Sequence, residues 1–176
     1  MEAWEDFYGD DDDFEDNPYL DMFYKWYLFF WFPDDGGDLN KKINLPSQNT
    51  PGADYLRKNK NQMDSLSIRI LESALNDPLC YWQVTAVEPN RGVLVKDLIL
   101  GRERFVEEIT GSDQLEQWDI ILASMQEIDN VFVFNIIAPF MFPSHVKGLI
   151  EENFSMDSKT PDAINQLFDI DLDLIF

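Results

Sequence analysis

One cysteine, one histidine and thirteen basic residues are all that this 176-residue chain offers for bridging, metal binding and phosphate contact. A lone Cys80 cannot close a disulfide within the chain, so a reducing, cytoplasmic setting is expected. Cys80 and His145 together fall short of the four nitrogen or sulfur donors of a structural zinc site. The thirteen bases face 34 acids, and the net charge of −21 repels nucleic-acid phosphate and anionic membrane surfaces. Nucleic acid and membrane are therefore disfavoured as partners, and a basic protein is favoured. Long apolar runs are missing too. The most hydrophobic stretch, Phe23 to Phe32, stops at Pro33-Asp34-Asp35, well short of the roughly 20 residues that span a bilayer. Met1-Glu2-Ala3-Trp4-Glu5-Asp6 lacks the basic start and apolar core of a secretory signal. No Walker loop, dinucleotide fingerprint or internal repeat is found.

What is present suits a globular core: 45% of the residues are hydrophobic and 14% aromatic. The clearest pattern runs from Tyr81 to Pro143, where five short apolar segments are broken at turn signals. Trp82, Val84 and Ala86 alternate with Gln83 and Thr85, the period of a strand with one buried face. Glu88-Pro89-Asn90-Arg91-Gly92 breaks the run, and Val93 to Leu100 resumes it as far as Gly101. Arg104 to Ile109 makes a third strand. Thr110 to Trp118 is polar and is expected as an exposed loop. Asp119 to Ile128 and Val131 to Ala138 complete the set around Asp129-Asn130, a two-residue turn that accepts left-handed backbone. Five short strands with tight connections predict an α+β protein, a small antiparallel β-barrel or curled sheet of OB or SH3 type flanked by N- and C-terminal helices. An open five-stranded sheet covered by helices is the competing arrangement.

The run from Tyr81 through Leu98, with Gly101, Phe105-Val106-Glu107-Glu108, Ser112, Leu115 and Asp119 to Ala123, resembles a domain of uncharacterised bacterial proteins that often carry a SEC-C metal-binding motif. More loosely the likeness reaches back to the aromatic segment, covering residues 20 to 143. It implies a fold and no activity. The SEC-C motif itself needs several cysteines, which this chain lacks, so a zinc-linked partner role does not transfer.

Charge divides the N-terminal part. The first 38 residues hold thirteen acids and one base, Lys25, whereas residues 39–70 carry Lys41, Lys42, Arg57, Lys58, Lys60 and Arg69 against Asp54 and Asp64. Residues 1–17 read as a flexible acidic leader and residues 18–176 as one domain: a helical part with a basic loop at 18–78, the barrel at 79–143 and helices at 144–176. Within 18–78, Asn17-Pro18 opens a helix that is apolar nearly all round. Gly36 to Gly52 reads as a loop. Met63, Leu66, Ile70, Leu71, Ala74 and Leu75 recur at helical spacing and stop at Asn76-Asp77-Pro78. Ser144 is expected to cap a short helix, and Thr160-Pro161 to start another.

Catalytic and metal chemistry find little support. Asp10-Asp11-Asp12-Asp13 with Glu15 and Asp16 lacks the glycine and closing glutamate of a calcium loop. His145 has no serine or cysteine partner in any motif and reads as a capping or exposed residue. Ser112 lacks the glycines of a nucleophile elbow. Asp97, inside an apolar strand, needs a partner, and Arg91, Arg102 or Arg104 can supply it. No catalytic residue, metal ligand or cofactor is assigned. The favoured reading is a non-catalytic protein-interaction module whose acidic and aromatic surface meets a basic or partly apolar protein, with Trp4, Phe7, Tyr8, Phe14, Trp26 and Trp31 as candidate contacts. The alternative is a divalent-metal hydrolase or nuclease-like enzyme using Asp97, Asp119 or Asp129.

Overall fold

The computed structural model describes residues 20–29, 31, 50–77 and 79–153. Its centre is a closed barrel of β1 (Cys80–Glu88), β2 (Gly92–Asp97), β3 (Glu103–Glu107), β4 (Ile120–Ile128) and β5 (Val131–Phe142), in the order β1-β2-β3-β5-β4. A meander would place β4 beside β3. Instead β4 returns to β1, with Cys80 opposite Ala123 and Gln83 opposite Ile120, while β5 meets β3 in parallel at Val106 and Phe132. Of the two expected barrel types this is the Greek-key, OB type.

Turn chemistry explains the strand limits. Asp129 and Asn130 have φ of 53° and 66°, so both central residues of the β4–β5 hairpin are left-handed, as a tight primed turn requires. At the start of β2, a Cβ on Gly92 would lie 2.1 Å from the Val106 carbonyl oxygen, so only glycine lets β2 and β3 close. β2 ends at Asp97 rather than Leu100, because the Asp97 carboxylate accepts the amides of Ile99 and Leu100, both at 2.9 Å, and winds that segment into a turn. β5 runs on past Ala138 to Phe142. Its Pro139 falls at the irregularity opposite Leu122, where a missing donor is tolerated.

The barrel separates two cores. Inside it lie Trp82, Val84, Val93, Val95, Val106, Ile121, Ala123 and Met125; outside it Tyr81, Leu122, Ile136 and Phe142 meet Met22, Phe23, Trp26, Val146 and Ile150. Both Trp82 and its neighbour Tyr81 are fully buried, so β1 is covered on both faces. The Trp82 indole donates its N–H to the Ala123 carbonyl at 3.1 Å, satisfying the one polar atom it brings inside.

Helices supply the outer cover. α1 (Leu20–Phe29) lays Met22, Phe23 and Trp26 on the outer core. α2 (Pro51–Asn59) replaces the end of the expected loop: Thr50 accepts the Ala53 amide at 3.2 Å and Pro51 takes the first helical position. α3 (Ser65–Asn76) is capped by Asp64, which accepts from Leu66 and Ser67 at 3.0 and 2.9 Å. α4 (Ile109–Ser112) lies in the stretch expected to be loop, and Ser112 and Leu115 there are buried. Past β5, Ser144 does not cap. It begins a 3-10 turn (Ser144–Val146) that leads into α5 (Lys147–Asn153), with Val146 and Ile150 facing the outer core. No helix among the described residues is long and apolar enough to cross a membrane. The acidic leader, the basic Lys41-Lys42 loop and the helix expected at Thr160 lie outside the described residues.

Candidate functional site

Proline chemistry places the first member of a charged network at the mouth of the barrel. Asp77 precedes Pro78, and the proline ring disfavours helical backbone before it, so α3 ends and Asp77 is extended at φ −108°, ψ 107°. Its Oδ1 then accepts Arg104 Nη1 on β3 at 2.8 Å, and its Oδ2 accepts the buried Met125 amide on β4 at 2.8 Å. One carboxylate thereby joins α3, β3 and β4.

Beside it lies the pair anticipated from sequence. Asp97 is fully buried, and its Oδ2 accepts Arg102 Nε and Nη2 at 3.0 and 2.8 Å. Such a two-pronged contact suits a planar guanidinium. Burial works against the Arg102 charge, yet the hydrogen bond to Asp97, aided by the Asp97 and Asp77 charges, holds its pKa above the ordinary value. The Arg102 and Arg104 guanidiniums each lie 5.3 Å from the Trp82 ring centroid, and Arg104 is also 4.6 Å from that of Phe132. Cys80 faces Arg102 at 3.7 Å, but burial first, and the Asp97 charge second, push its thiol up to about 12. A thiol held protonated is not a nucleophile.

Asp77 and Arg104 floor a cleft of about 530 Å³ between α3 and the β4–β5 hairpin, lined by Arg69, Ser73 and Asn76 on one side and Glu127, Asn130 and Phe132 on the other. Arg69 pairs with Asp129 across it. The Ser73 hydroxyl accepts the Glu127 amide at 2.6 Å, fastening the helix to the hairpin.

A second exposed feature precedes β4. Trp118 is 52% exposed and has φ of +83°, a backbone conformation that bulky side chains rarely adopt. It is held there from both sides: its amide donates to the Val84 carbonyl, and the Val84 amide donates to the Asp119 carbonyl, each at 2.8 Å. Asp119 also accepts the Glu116 amide at 2.7 Å, which closes the turn. The indole thus stands on a hydrogen-bonded turn in which Glu116 and Asp119 flank it in sequence.

The expected site residues scatter. Trp4, Phe7, Tyr8 and Phe14 lie outside the described residues. Trp26 is 7% exposed in the outer core, and half-buried Trp31 packs against the same core, stacked on Tyr27 at 5.3 Å. Asp97, Asp119 and Asp129 each have separate partners, and no group of three acidic, histidine or cysteine side chains that could hold a metal occurs among the described residues. Asp77 and Trp118 escaped the sequence reading. The first looked like a helix stop, and the second lay in a stretch whose only signal was polarity. No family model matches the chain, and no curated protein or solved structure matches it either.

Proposed function

We propose that this protein is a non-catalytic interaction module that takes a basic, partly apolar protein segment on the turn carrying Trp118. The observation that carries the reading is the half-exposed indole at positive φ between Glu116 and Asp119. Strained backbone of this kind costs on the order of 1–3 kcal/mol, and such outliers cluster where a side chain is wanted for binding. An indole face attracts guanidinium or ammonium groups, and the flanking carboxylates add charge attraction. Tryptophan is also a common anchor in protein interfaces. The chain's net charge of −21 favours approach of a cationic segment over long distances. The sequence resemblance to domains of SEC-C proteins is compatible with this reading and adds no activity to it.

The test follows the indole N–H resonances while an arginine- and leucine-containing peptide is added. The Trp118 signal is expected to shift with saturation, and that of Trp82, bonded to Ala123 inside the barrel, to stay in place. A Trp118 signal that does not move, or a uniform drift of all indoles, contradicts the proposal.

A further inference from the structure

We infer that the cleft between α3 and the β4–β5 hairpin binds a small zwitterion, a carboxylate with an ammonium group a few bonds away, as in a free α-amino acid. The cleft, of about 530 Å³, falls within the size range of small-molecule sites. Its chemistry is that of a paired guanidinium with donors to spare and a carboxylate without an ion pair. Arg104 is fixed by the Phe132 and Trp82 rings and by Asp77, but only its Nη1 donates a hydrogen bond. Among the described residues no buried side-chain nitrogen or oxygen lacks a partner, so Arg104 Nε and Nη2 are accessible donors. A guanidinium edge of that kind receives a carboxylate in two-pronged fashion. On the hairpin side of the cleft, the Glu127 amide is tied to Ser73 while the carboxylate forms no ion pair among the described residues.

The remaining charges are already matched. Arg69 pairs with Asp129, and Asp77 with Arg104. A simple anion would meet Arg104 but also the Glu127 and Asp129 carboxylates, and a simple cation would meet the reverse. Only a ligand carrying both charges answers both groups, and the half-buried Phe132 ring beside them offers an apolar surface for a short side chain. Pre-fixing the guanidinium lowers the ordering cost of binding. This site is independent of Trp118. The two flank β4, whose nine residues span roughly 30 Å.

Thermal unfolding of the full chain with three probes decides the matter: L-alanine, and its two halves propionate and ethylammonium, each against sodium chloride at equal ionic strength. L-Alanine at about ten times its Kd is expected to raise Tm by about 4 °C, with each half giving less than a third of that rise. Substituting Arg104 would break the Asp77 pair, so the variant is Glu127→Gln at the exposed wall. It is expected to keep the ligand-free Tm and to reduce the L-alanine shift to that of propionate. No shift with L-alanine, equal shifts with either half, or an undiminished shift in Glu127→Gln would each overturn the inference.

Discussion

Arg104 Nη1 lies 2.8 Å from Asp77 Oδ1, and through that contact the end of α3 is fastened over the mouth of the barrel. The geometry depends on Pro78, which turns Asp77 out of the helix, and on the Met125 amide, which engages the second carboxylate oxygen at 2.8 Å. Replacing Asp77 with alanine strands a largely buried cation and a buried amide. Removing one member of a buried pair costs about 3–5 kcal/mol, and the asparagine variant, which still offers an acceptor to Met125, should lose roughly half as much. Urea unfolding midpoints measure both. A midpoint unchanged in Asp77→Ala would mean that the contact contributes nothing.

Closure of β2 on β3 makes a second prediction. With the Val106 carbonyl 2.1 Å from where a Cβ would stand, Gly92→Ala must push the two strands apart. A loss of about 3 kcal/mol is expected, in line with overpacking of an interior that cannot yield. Gly101→Ala serves as a control, since nothing lies within 4 Å of its added carbon and only its φ of 69° opposes the change. The smaller loss should fall there, and equal losses would contradict the close approach.

Cys80 gives the fold a dependence on alkaline pH. Its folded pKa is raised from 9.0 to about 12, so below pH 9 the folded and unfolded states both carry the proton and stability is unaffected. Between pH 9 and 12 the unfolded chain ionises while the folded one does not, so stability falls as pH rises through that window. Cys80→Ser, whose hydroxyl does not titrate there, should flatten the curve between pH 9 and 10, above which burial of the Tyr81 phenol, raised from its ordinary 10.0, keeps stability falling. At pH 8 the native thiol should resist a disulfide reagent that labels it at once in denaturant. Rapid labelling of folded protein would contradict this burial.

Trp118 should trade stability for binding. Glycine relieves the positive φ but adds unfolded-state freedom, and the balance leaves Trp118→Gly more stable by about 1 kcal/mol. Thermal unfolding reads the change. A loss of stability would show that the turn is not strained and would remove the main reason for assigning the indole a role.

Most of the barrel was legible because its signals are local. Asn130 after Asp129 specifies a tight turn without reference to anything distant, and Trp82-Gln83-Val84 alternates within one strand. Asp97 was legible for a different reason: a carboxylate in an apolar strand demands a partner, and arginines lie just beyond it. α2 was missed because Pro51-Gly52 reads equally as a breaker and as the start of a helix, and packing against α1 decides between them. Asp77 was illegible in a stricter sense, since its partners stand 27 and 48 residues away and only the closed barrel assembles them. For Trp118 local preference points the other way. Glycine or asparagine suits its backbone, and the hydrogen bonds to β1 impose the conformation that the residue itself resists.

The most direct test of the interaction reading is the affinity of a fluorescent arginine- and leucine-containing peptide for the native chain and for Trp118→Gly, measured by anisotropy at low and moderate salt. Saturable binding that weakens with salt and falls about tenfold or more in the more stable variant is the predicted result. Equal affinity for the two proteins, or no binding to either, would contradict it.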